Sequence, residues 1–487
     1  MEIGNIHKGL ENGLNIETLR DMPIKAGIDK DHLLDLRVRT NPFGCLFDDG
    51  KRYASILGYV HRSCSPQGFA RFESNLDFRA AASSFVGMGV GPENIMPVGT
   101  RQLRKVVAGC FLKEGDLVLM PMPSSPQSKA ILFERKANVK HLDRQDMLSG
   151  RMGVDVPDAC KIVFVSNPDY LSGVLLSAEA VGSLAGQCRE KGALLFVDES
   201  LIELSDPGQS VASLVLSSDN ILIIRSASST FALPGPEVSF AIASPGLLGK
   251  LRMLLPAYPA SPLSLSVASS MMRMKGGCNS SYLRESRKYI EKQRASLTDL
   301  FTRHGYKSER SDSTYILVKL KMVMGLQELT QRLASHGIML LDCSPFYMHG
   351  EDYVRIAVTT RNNIERLEET FGIVLGEWAR DHARTSLERV LIKGELTGSN
   401  TQCPYYPCHF PGQDCTFCYC PFNPCEDERT GGEWIDGPGG RKGWSCMGCC
   451  LIHESWVAQQ VLDIVLEHDD LNEGLKVAWL NIISPYL

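Results

Sequence analysis

A dense cysteine cluster near the carboxyl end constrains this chain more than any other feature. Nine of its 16 cysteines lie between Cys403 and Cys450. The others are scattered singly through ordinary globular sequence, as the buried, reduced cysteines of cytoplasmic proteins are. The opening residues, MEIGNIHKGLENG, lack the apolar stretch of a secretory signal. Because disulfides are rare in a reducing compartment, we expect a cytoplasmic protein whose cysteine cluster binds metal ions.

Two CxxC pairs stand out within this cluster, Cys415–Cys418 and Cys446–Cys449. A CxxC turn can point two sulfurs at one ion, so these two pairs are predicted to complete one tetrahedral site. The remaining ligands suffice for a second site, with His409 interpreted as a ligand or an exposed side chain, and Cys450 as a ligand or a spare thiol. The predicted metal ligands are Cys403, Cys408, Cys415, Cys418, Cys420, Cys425, Cys446, Cys449 and His453.

The chemistry of these ligands narrows the identity of the metal. Thiolates exclude Mg²⁺ and Ca²⁺ but suit both Zn²⁺ and an iron–sulfur cluster, so the two cofactors are expected alternatives. The net charge of −5 does not favour binding to nucleic acid or to an anionic membrane surface. The longest apolar runs are too short to span a bilayer. We therefore expect neither a nucleic acid nor a membrane as a partner.

The body of the chain alternates strand and helix patterns from about residue 75 to residue 250. Residues 161–166 (KIVFVS) and 193–197 (ALLFV) are nearly continuous apolar runs, as buried parallel strands are. A helix is predicted between them, at 177–191. This alternation predicts an α/β layer fold with a mostly parallel sheet. A basic cluster after Gly99, which contains Arg104, is predicted to be a solvated helix face or else an anion site at a helix N-terminus.

A smaller α+β unit is predicted after this sheet. It follows one long helix over about 265–305, contains strands at 314–319, 339–341 and 353–357 and a helix at 326–336, and ends with a helix at 364–378. The predicted divisions are an N-terminal arm with part of the small domain (1–60), the large α/β domain (61–262), the small α+β domain (263–380), a linker (381–402), and the Cys-rich metal-binding module with its terminal helix (403–487).

Several short segments of the body occur in the order typical of one enzyme family. They are NPFG at 41–44, GPENI at 91–95, NPDYLSG at 167–173, VDE at 197–199, RSASSTFALPG at 225–235, LDCSPF at 341–346 and YVRIAV at 353–358. Over about residues 30–375 the chain resembles the fold-type-I, pyridoxal-phosphate (PLP)-dependent family of histidinol-phosphate aminotransferases and threonine-phosphate decarboxylases. The tail resembles the cysteine-rich small domain of some archaeal decarboxylases of cobalamin biosynthesis. The resemblance implies a PLP-transferase-like large domain and a homodimer with its active sites between the subunits.

The same resemblance implies that the cofactor chemistry is missing. The family forms its Schiff base through a lysine, whereas this chain has Ser229 at that position and no lysine between Lys191 and Lys250. A serine hydroxyl cannot form a Schiff base. Glu237 corresponds to an arginine that binds the cofactor phosphate, and a carboxylate there would repel that phosphate.

Other positions of the family's site are either replaced or retained. Tyr170 corresponds to the asparagine on the pyridine hydroxyl, and Pro126 to the aromatic residue that stacks on the ring. Asp198 corresponds to the carboxylate that partners the pyridinium nitrogen, and Arg355 to the arginine that binds the substrate carboxylate. The expected residual cleft comprises Asp198, Ser226, Ser228 and Tyr170, with Arg355 and Asn41 as substrate-binding residues. Its expected ligand is a small phosphorylated or amino-acid molecule, and covalent PLP is not expected.

Three functional hypotheses follow from these residues. The first is a non-catalytic member of the decarboxylase branch that carries a metal module and acts as a binding, scaffold or regulatory protein. The second is a working threonine-phosphate decarboxylase-like enzyme of the cobalamin pathway that holds PLP without a covalent bond or uses an altered chemistry. The third is metal or redox sensing by the cysteine-rich module, with the body as a dimerisation platform.

Overall fold

The structure is a computed structural model that describes residues 32–44, 75–121, 124, 126–142, 155–233, 238–256, 260–320, 324–343, 352–403, 405–436 and 442–487. The chain forms two compact units, Met1–Ile364 and Glu365–Leu487. No helix in these ranges has both the length and the apolar character needed to cross a bilayer. Cys45, Cys64, Glu237 and most of the predicted N-terminal arm lie outside the described residues.

The first unit contains two sheets of four or more strands and a short strand pair. Its strands are β1 (Leu34–Asp35), β2 (Ile95–Pro97), β3 (Leu117–Pro121), β4 (Asn138–Leu142), β5 (Cys160–Ser166), β6 (Leu194–Asp198), β7 (Ile221–Ser226), β8 (Ser239–Ile242), β9 (Lys307–Ser308), β10 (Tyr315–Lys319), β11 (Ile338–Met339), β12 (Leu341–Asp342) and β13 (Tyr353–Ala357). Its helices are α1 (Leu76–Val86), α2 (Thr100–Phe111), α3 (Pro126–Glu134), α4 (Ala178–Glu190), α5 (Ala227–Thr230), α6 (Pro245–Arg252), α7 (Pro262–Met272), α8 (Ser281–Arg303) and α9 (Leu326–Ser335).

The large sheet has seven strands in the order β2-β8-β7-β6-β5-β3-β4. Strand β8 runs antiparallel to both of its neighbours, and the remaining pairs are parallel. Along β6, Leu195 and Val197 belong to one hydrophobic core, while Leu194 and Phe196 belong to another. Successive side chains of a strand point to opposite faces, so both faces of this sheet are buried. The predicted α/β fold with a mostly parallel sheet is confirmed.

Helices cover the two faces of the large sheet. The core on one face includes residues of α1, α4, α7 and α8, and the core on the other includes residues of α2, α3 and α6. Helix α4 begins after Ser177, whose side chain accepts a hydrogen bond from the Ala180 N–H, close to the predicted start. Helix α2 begins at Thr100, directly after Gly99, so Arg104 lies within the helix.

The predicted long helix over 265–305 is two helices in the structure. Helix α7 ends at Met272 and α8 begins at Ser281, with Gly276 and Gly277 between them at φ values of +94° and +54°. These left-handed conformations favour glycine and interrupt a right-handed helix. A Cβ atom on Gly277 would also lie 2.8 Å from the Phe85 carbonyl oxygen. The break therefore lets the chain pass close to the end of α1.

The small sheet has the order β12-β13-β10-β9, and its pairs are antiparallel. Strands β1 and β11 form a separate parallel pair. The predicted strand at 339–341 is divided between β11 and β12. Helix α9 confirms the predicted helix at 326–336 to within a residue at its end.

The second unit is built around a longer helix than the sequence indicated. Its elements are α10 (Arg361–Lys393), β14 (Glu433–Asp436), β15 (Lys442–Ser445), α11 (Ser455–Leu466) and α12 (Leu471–Ala478). Helix α10 continues to Lys393, so residues 381–393 of the predicted linker are helical. Leu387 and Val390 are buried with residues of the module in one core, which explains why the helix continues. The predicted terminal helix corresponds to α11, and α12 follows it.

Candidate functional site

The first candidate site lies at the carboxyl ends of β5 and β6. Ser166 and Asp198 end these strands as paired positions, and the Asn167 N–H donates to the Asp198 carbonyl oxygen at 2.9 Å. In open α/β sheets, ligands bind outside the carboxyl ends of parallel strands. The turn after β5 then carries Asp169 and Tyr170 to the same edge, where both line a cavity with Asp198. The structure therefore brings together two of the predicted cleft residues, Asp198 and Tyr170.

Asp198 already has a cationic partner from the chain itself. The Arg104 guanidinium donates through Nη2 to Asp198 Oδ2, and the side chains are only 6% and 11% exposed. The Ser200 N–H donates to the other carboxylate oxygen at 3.0 Å, and the Ser200 hydroxyl donates there as well. Burial opposes ionisation of the carboxyl, but Arg104 and Ser200 hold the pKa of Asp198 below its usual value. Asp198 is thus a buried, ionised and compensated carboxylate.

Arg104 belongs to this site, although the sequence pattern did not pair it with Asp198. The prediction of a solvated helix face is wrong for Arg104, which is 5% exposed, although it holds for Arg101 and for Lys105, whose side chain is 50% exposed. The Arg104 guanidinium lies 5.9 Å from the centroid of the Phe196 ring. The helical spacing could have predicted that Arg104 is buried, since its neighbours Leu103 and Val107 in the same helix face the core.

The remaining cavity is far smaller than a pyridine cofactor. Its volume is about 30 Å³, and its walls include Arg104, Ser124, Ser128 and Phe164. A volume of this order accommodates roughly two water molecules. Asp198, which the resemblance assigns to a pyridinium nitrogen, is already paired with Arg104, and the space beside it is small, so the residues present do not fit PLP.

The serines that follow β7 take part in turn structure. Ser226 caps the short helix α5, and its hydroxyl accepts from the Ser229 N–H at 3.2 Å and donates to the Ser229 hydroxyl at 3.1 Å. The Ser228 hydroxyl accepts from the Val238 N–H at 2.6 Å. Asn41 is 2% exposed, and its amide contacts the Thr230 carbonyl oxygen at 3.1 Å. The predicted cleft residues Ser226, Ser228 and Asn41 therefore stabilise the chain beside the cleft through hydrogen bonds within the protein.

Two further arginines surround Tyr170. The Arg355 Nη1 donates to the Tyr170 carbonyl oxygen at 3.0 Å, and its guanidinium lies 5.0 Å from the ring centroids of Tyr170 and Tyr315. The Arg39 guanidinium lies 4.6 Å from the Tyr170 ring centroid. Burial raises the pKa of Tyr315 to about 12 even though both arginines favour its ionised form. Arg355 therefore lies next to the predicted cleft, and Arg39 is an addition that the sequence did not indicate.

The second candidate site is the cysteine-rich module, whose thiols fall into two groups. We define the first thiol cluster as Cys403, Cys408, Cys415 and Cys418, and the second thiol cluster as Cys420, Cys425, Cys446 and Cys449. Burial, together with the other three thiols of the first cluster, raises the pKa of Cys418 to about 11. Burial raises the pKa of Cys420 as well, and the nearby thiols are those of the second cluster.

This grouping differs from the predicted pairing of the two CxxC motifs in a single site, and that pairing remains a prediction. Tyr419, between the clusters, packs edge-on against Trp378 with ring centroids 5.2 Å apart, which fixes the chain where one cluster ends and the other begins. The β14–β15 hairpin then returns the chain toward Cys420. Gly431, at φ +89°, permits this return, because a Cβ atom there would lie 2.6 Å from the Gly448 carbonyl oxygen.

Each cluster has its own side-chain amide donor to sulfur. The Gln413 Nε2 contacts Cys408 Sγ at 3.1 Å, and the Asn423 Nδ2 contacts Cys446 Sγ at 3.1 Å. Such donors favour thiolates, and ligand-orienting contacts of this kind typify metal sites. All nine cysteines of the module are free thiols. Within the described residues, however, no three Cys, His, Asp or Glu side chains are gathered in an arrangement that could hold a metal ion.

The two histidines of the module stack on each other, with ring centroids 4.2 Å apart. The His453 Nδ1 is 3.0 Å from the Asp414 carbonyl oxygen. Burial and the neighbouring His453 lower the pKa of His409. Both rings border a cavity of about 130 Å³ that also contacts thiols of both clusters. Because four thiols are available in each cluster, a histidine ligand is not needed to complete either set, and the predicted ligand role of His453 remains a prediction.

Comparisons with known proteins separate the same two parts of the chain. The sequence model of the family described as aminotransferase class I and II matches residues 63–371, and the family described as cysteine-rich small domain matches residues 395–474. A histidinol-phosphate aminotransferase of Methanothermobacter thermautotrophicus is 23% identical over 73% of this chain and 92% of its own length. The crystal structure of histidinol-phosphate aminotransferase from Sinorhizobium meliloti, in complex with pyridoxal-5'-phosphate, covers 74% of this chain and 95% of that chain with a TM-score of 0.62 and 18% identity.

Two further relatives match shorter stretches of the chain at higher identity. An uncharacterised protein of Methanocaldococcus jannaschii is 46% identical over 98 residues, which are 20% of this chain and 79% of that protein. A probable cobalt-factor III C(17)-methyltransferase of Methanothermobacter thermautotrophicus is 45% identical over 82 residues, 16% of this chain and 22% of that protein. The matched stretch is most of the first relative and a minor part of the second.

Proposed function

Because the chain belongs to the aminotransferase class I and II family but its cleft does not fit PLP, we propose that it is a degenerate member of that family. It belongs to the threonine-phosphate decarboxylase branch, forms no Schiff base with PLP, and acts as a metal-binding regulatory or scaffold protein in cobalamin metabolism. Like its relatives it works as a homodimer.

The ion pair between Arg104 and Asp198 carries this proposal. In the family resembled, the carboxylate at Asp198 pairs with the pyridinium nitrogen of the cofactor. Here a guanidinium from α2 compensates that charge permanently, and Ser229 replaces the lysine. These two changes would remove both the electrostatic contact and the covalent bond that attach PLP to the protein.

The link to cobalamin is supported by the tail. The probable cobalt-factor methyltransferase described above contains a similar segment. Its name describes a methyl transfer, whereas the body of this chain is similar to aminotransferases. A module shared by two otherwise different proteins is best explained by a common partner, ligand or metal requirement. We therefore assign the regulatory or scaffold role to the module.

The two thiol clusters are the proposed metal ligands. Four thiolates in each suit a structural Zn²⁺ ion or an iron–sulfur cluster. Zinc would contribute folding energy to a module with a small core, whereas an iron–sulfur cluster would add electron transfer or redox sensing. Elemental analysis of anaerobically purified protein for zinc and iron separates these alternatives, and protein that contains neither metal contradicts this part of the proposal.

Borohydride trapping and absorption spectroscopy together test the proposed loss of PLP chemistry. Full-length protein is incubated with PLP, treated with borohydride to reduce any Schiff base, and digested for mass spectrometry. We expect no stoichiometric pyridoxyl adduct, whereas a catalytically complete aminotransferase treated identically gives one on its active-site lysine. A single modified lysine at full occupancy, or a PLP absorption band that survives dialysis, contradicts the proposal.

A second candidate function is an active decarboxylase-like enzyme. It is favoured by Arg355, which lies beside the cleft where the family resembled binds the substrate carboxylate. This alternative requires PLP to displace Arg104 and to act without a Schiff base to the protein. Carbon dioxide release from threonine phosphate, dependent on added PLP and abolished by Arg355→Met, would favour it over the first function.

A further inference from the structure

A second group of buried charges lies in the first unit, where β6 and β7 end. Arg225 of β7 donates to Glu199 through Nε and Nη2 at 3.1 and 3.0 Å, and to Glu203 through Nη1 at 3.0 Å. All three side chains are at most 1% exposed. One guanidinium therefore faces two carboxyl groups in a place that water does not reach, where a second negative charge is poorly compensated.

Glu199 has the surroundings of an ionised carboxylate. Its Oε2 accepts from Arg225 and from the Ser210 hydroxyl at 2.7 Å, and its Oε1 accepts from the Val211 N–H at 2.9 Å. The Ser210 hydroxyl is free to donate, because its oxygen accepts from Arg225 Nη2 and from the Ala212 N–H. Each of these contacts brings a proton to Glu199, so both of its oxygens are satisfied in the charged form.

Glu203 has the surroundings of a neutral carboxylic acid. Its Oε1 accepts from Arg225, whereas its Oε2 lies 3.3 Å from the Thr230 hydroxyl oxygen. The same hydroxyl lies 2.9 Å from the Ser226 carbonyl oxygen, which can only accept. Because a hydroxyl has one proton and the shorter contact takes it, the proton between Thr230 and Glu203 has to come from Glu203. The direction of these hydrogen bonds thus places a proton on Glu203 Oε2.

Two further titratable groups approach Glu203 from neighbouring segments. Arg287 of α8 donates through Nη1 to the Glu203 backbone carbonyl oxygen at 2.8 Å, rather than to the carboxyl group. Burial and the nearby Glu203 raise the pKa of Cys278, so this thiol adds no negative charge at neutral pH. Burial raises the pKa of Glu203 and Glu199 acts in the same direction, while Arg225 and hydrogen bonds to the carboxyl oppose the shift.

We propose that Glu203 is a neutral carboxylic acid in the folded protein at neutral pH, and that Glu199 carries the negative charge opposite Arg225. A chain of hydrogen bonds then runs from Glu203 through the Thr230 hydroxyl to the Ser226 carbonyl oxygen and stabilises α5. Loss of the proton puts two negative charges on one guanidinium and turns the Thr230 hydroxyl away from Ser226. Glu203 is therefore a pH-sensitive support for the turn that follows β7.

This arrangement links folding to the uptake of a proton. Because its folded pKa is raised, Glu203 contributes stability that is complete below the pKa of the unfolded carboxyl group and is lost as the pH rises through the folded pKa. Glu203→Gln should remove this dependence. Glutamine keeps an oxygen that accepts from Arg225 and an amide that donates to Thr230, but it does not titrate.

Infrared spectroscopy of the full-length protein at neutral pH tests the protonation state directly. We expect a band from a protonated carboxyl group that shifts when the glutamates carry heavy carbon and that is lost in Glu203→Gln. The band should remain in the matched control Glu134→Gln, whose side chain is 61% exposed. Absence of the band from the unaltered protein overturns the inference without any variant, and so does a band that persists in Glu203→Gln.

Urea unfolding at about pH 5, 7 and 9 measures the linkage. Circular dichroism follows the whole chain, whereas tryptophan fluorescence follows the second unit, because all five tryptophans lie within it. As the pH rises, we expect the dichroism midpoint of the unaltered protein to fall relative to that of Glu203→Gln, while their fluorescence midpoints stay equal. A difference between the two proteins that is constant with pH, or that changes in the opposite direction, overturns the inference.

Discussion

A buried guanidinium–carboxylate pair such as Arg104–Asp198 is stable only while both of its members are present. Removing one partner leaves an uncompensated charge in a poorly solvated place, which costs more than the pair itself contributes. Removing both charges together avoids that penalty. The pair therefore predicts a strong coupling between substitutions at these two positions.

We expect Arg104→Met to lower the free energy of unfolding by about 3–5 kcal/mol. The double variant Arg104→Met/Asp198→Asn should recover more than half of this loss, because no buried charge then lacks a partner. Urea denaturation of the single and double variants measures the coupling. Lys105→Met, on the same helix but exposed, should change stability by less than about 0.5 kcal/mol; a loss as large as that of Arg104→Met would show that the pair is not responsible.

The stability of the protein should depend on pH through the same carboxylate. Because its folded pKa is lowered, Asp198 contributes stability that is complete above its unfolded pKa and lost as the pH falls through its folded pKa. The stability difference between the unaltered protein and the double variant should therefore be larger at about pH 6 than at about pH 3. Denaturation curves at both pH values measure it, and a difference that grows on acidification is the contrary result.

Among structural elements, the break between α7 and α8 depends on backbone conformation rather than on side chains. Gly277 has a left-handed φ of +54° and approaches the Phe85 carbonyl oxygen. Gly277→Ala should destabilise the protein by more than about 1 kcal/mol, because a left-handed conformation strains alanine and the new methyl group meets backbone. Gly186→Ala, inside α4 and with open space around its Cβ position, should stabilise by about 0.5–1 kcal/mol. Thermal unfolding of both variants tests the contrast.

The thiol clusters of the module are predicted to bind metal independently. Cys418→Ser should abolish metal binding by the first thiol cluster, and Cys449→Ser should abolish it in the second, so each variant keeps about half of the metal. Cys450→Ser should keep all of it. Metal content per chain, measured by mass spectrometry, decides this. If either single variant loses all of the metal, the clusters form one site and the grouping is wrong.

The sequence predicted an element correctly where the interactions that define it are close together along the chain. The apolar runs at β5 and β6 revealed buried strands because their whole pattern is local. Arg104 could not be assigned to Asp198, because a basic residue on a helix usually faces solvent and the partner is 94 residues away. The sequence likewise predicts the thiols as ligands without showing which of them lie together, since spacing along the chain does not show that Tyr419 separates two groups of thiols. The prediction ended helix α10 too early, because Leu387 and Val390 pack against residues of the module that lie far along the chain.

At the scale of the whole molecule, the second unit is predicted to fold by itself. Its core is made of residues from α10, the cysteine-rich loops, α11 and α12, all within Glu365–Leu487. A fragment of residues 365–487 should show cooperative unfolding with metal bound, and chelation should lower its melting temperature strongly. Circular dichroism with and without a chelator tests this. A fragment that melts identically in both conditions would mean that the apolar core alone is sufficient.

The ion pair also determines how the body could have changed over evolutionary time. A single return substitution, Ser229→Lys, would restore a nucleophile to a cleft that Arg104 still fills. Removal of Arg104 alone would leave Asp198 buried and charged until a cofactor arrived. Under the proposed function, each first step back toward catalysis is therefore either ineffective or destabilising. In that case epistasis between these two positions would hold the protein in its non-catalytic role.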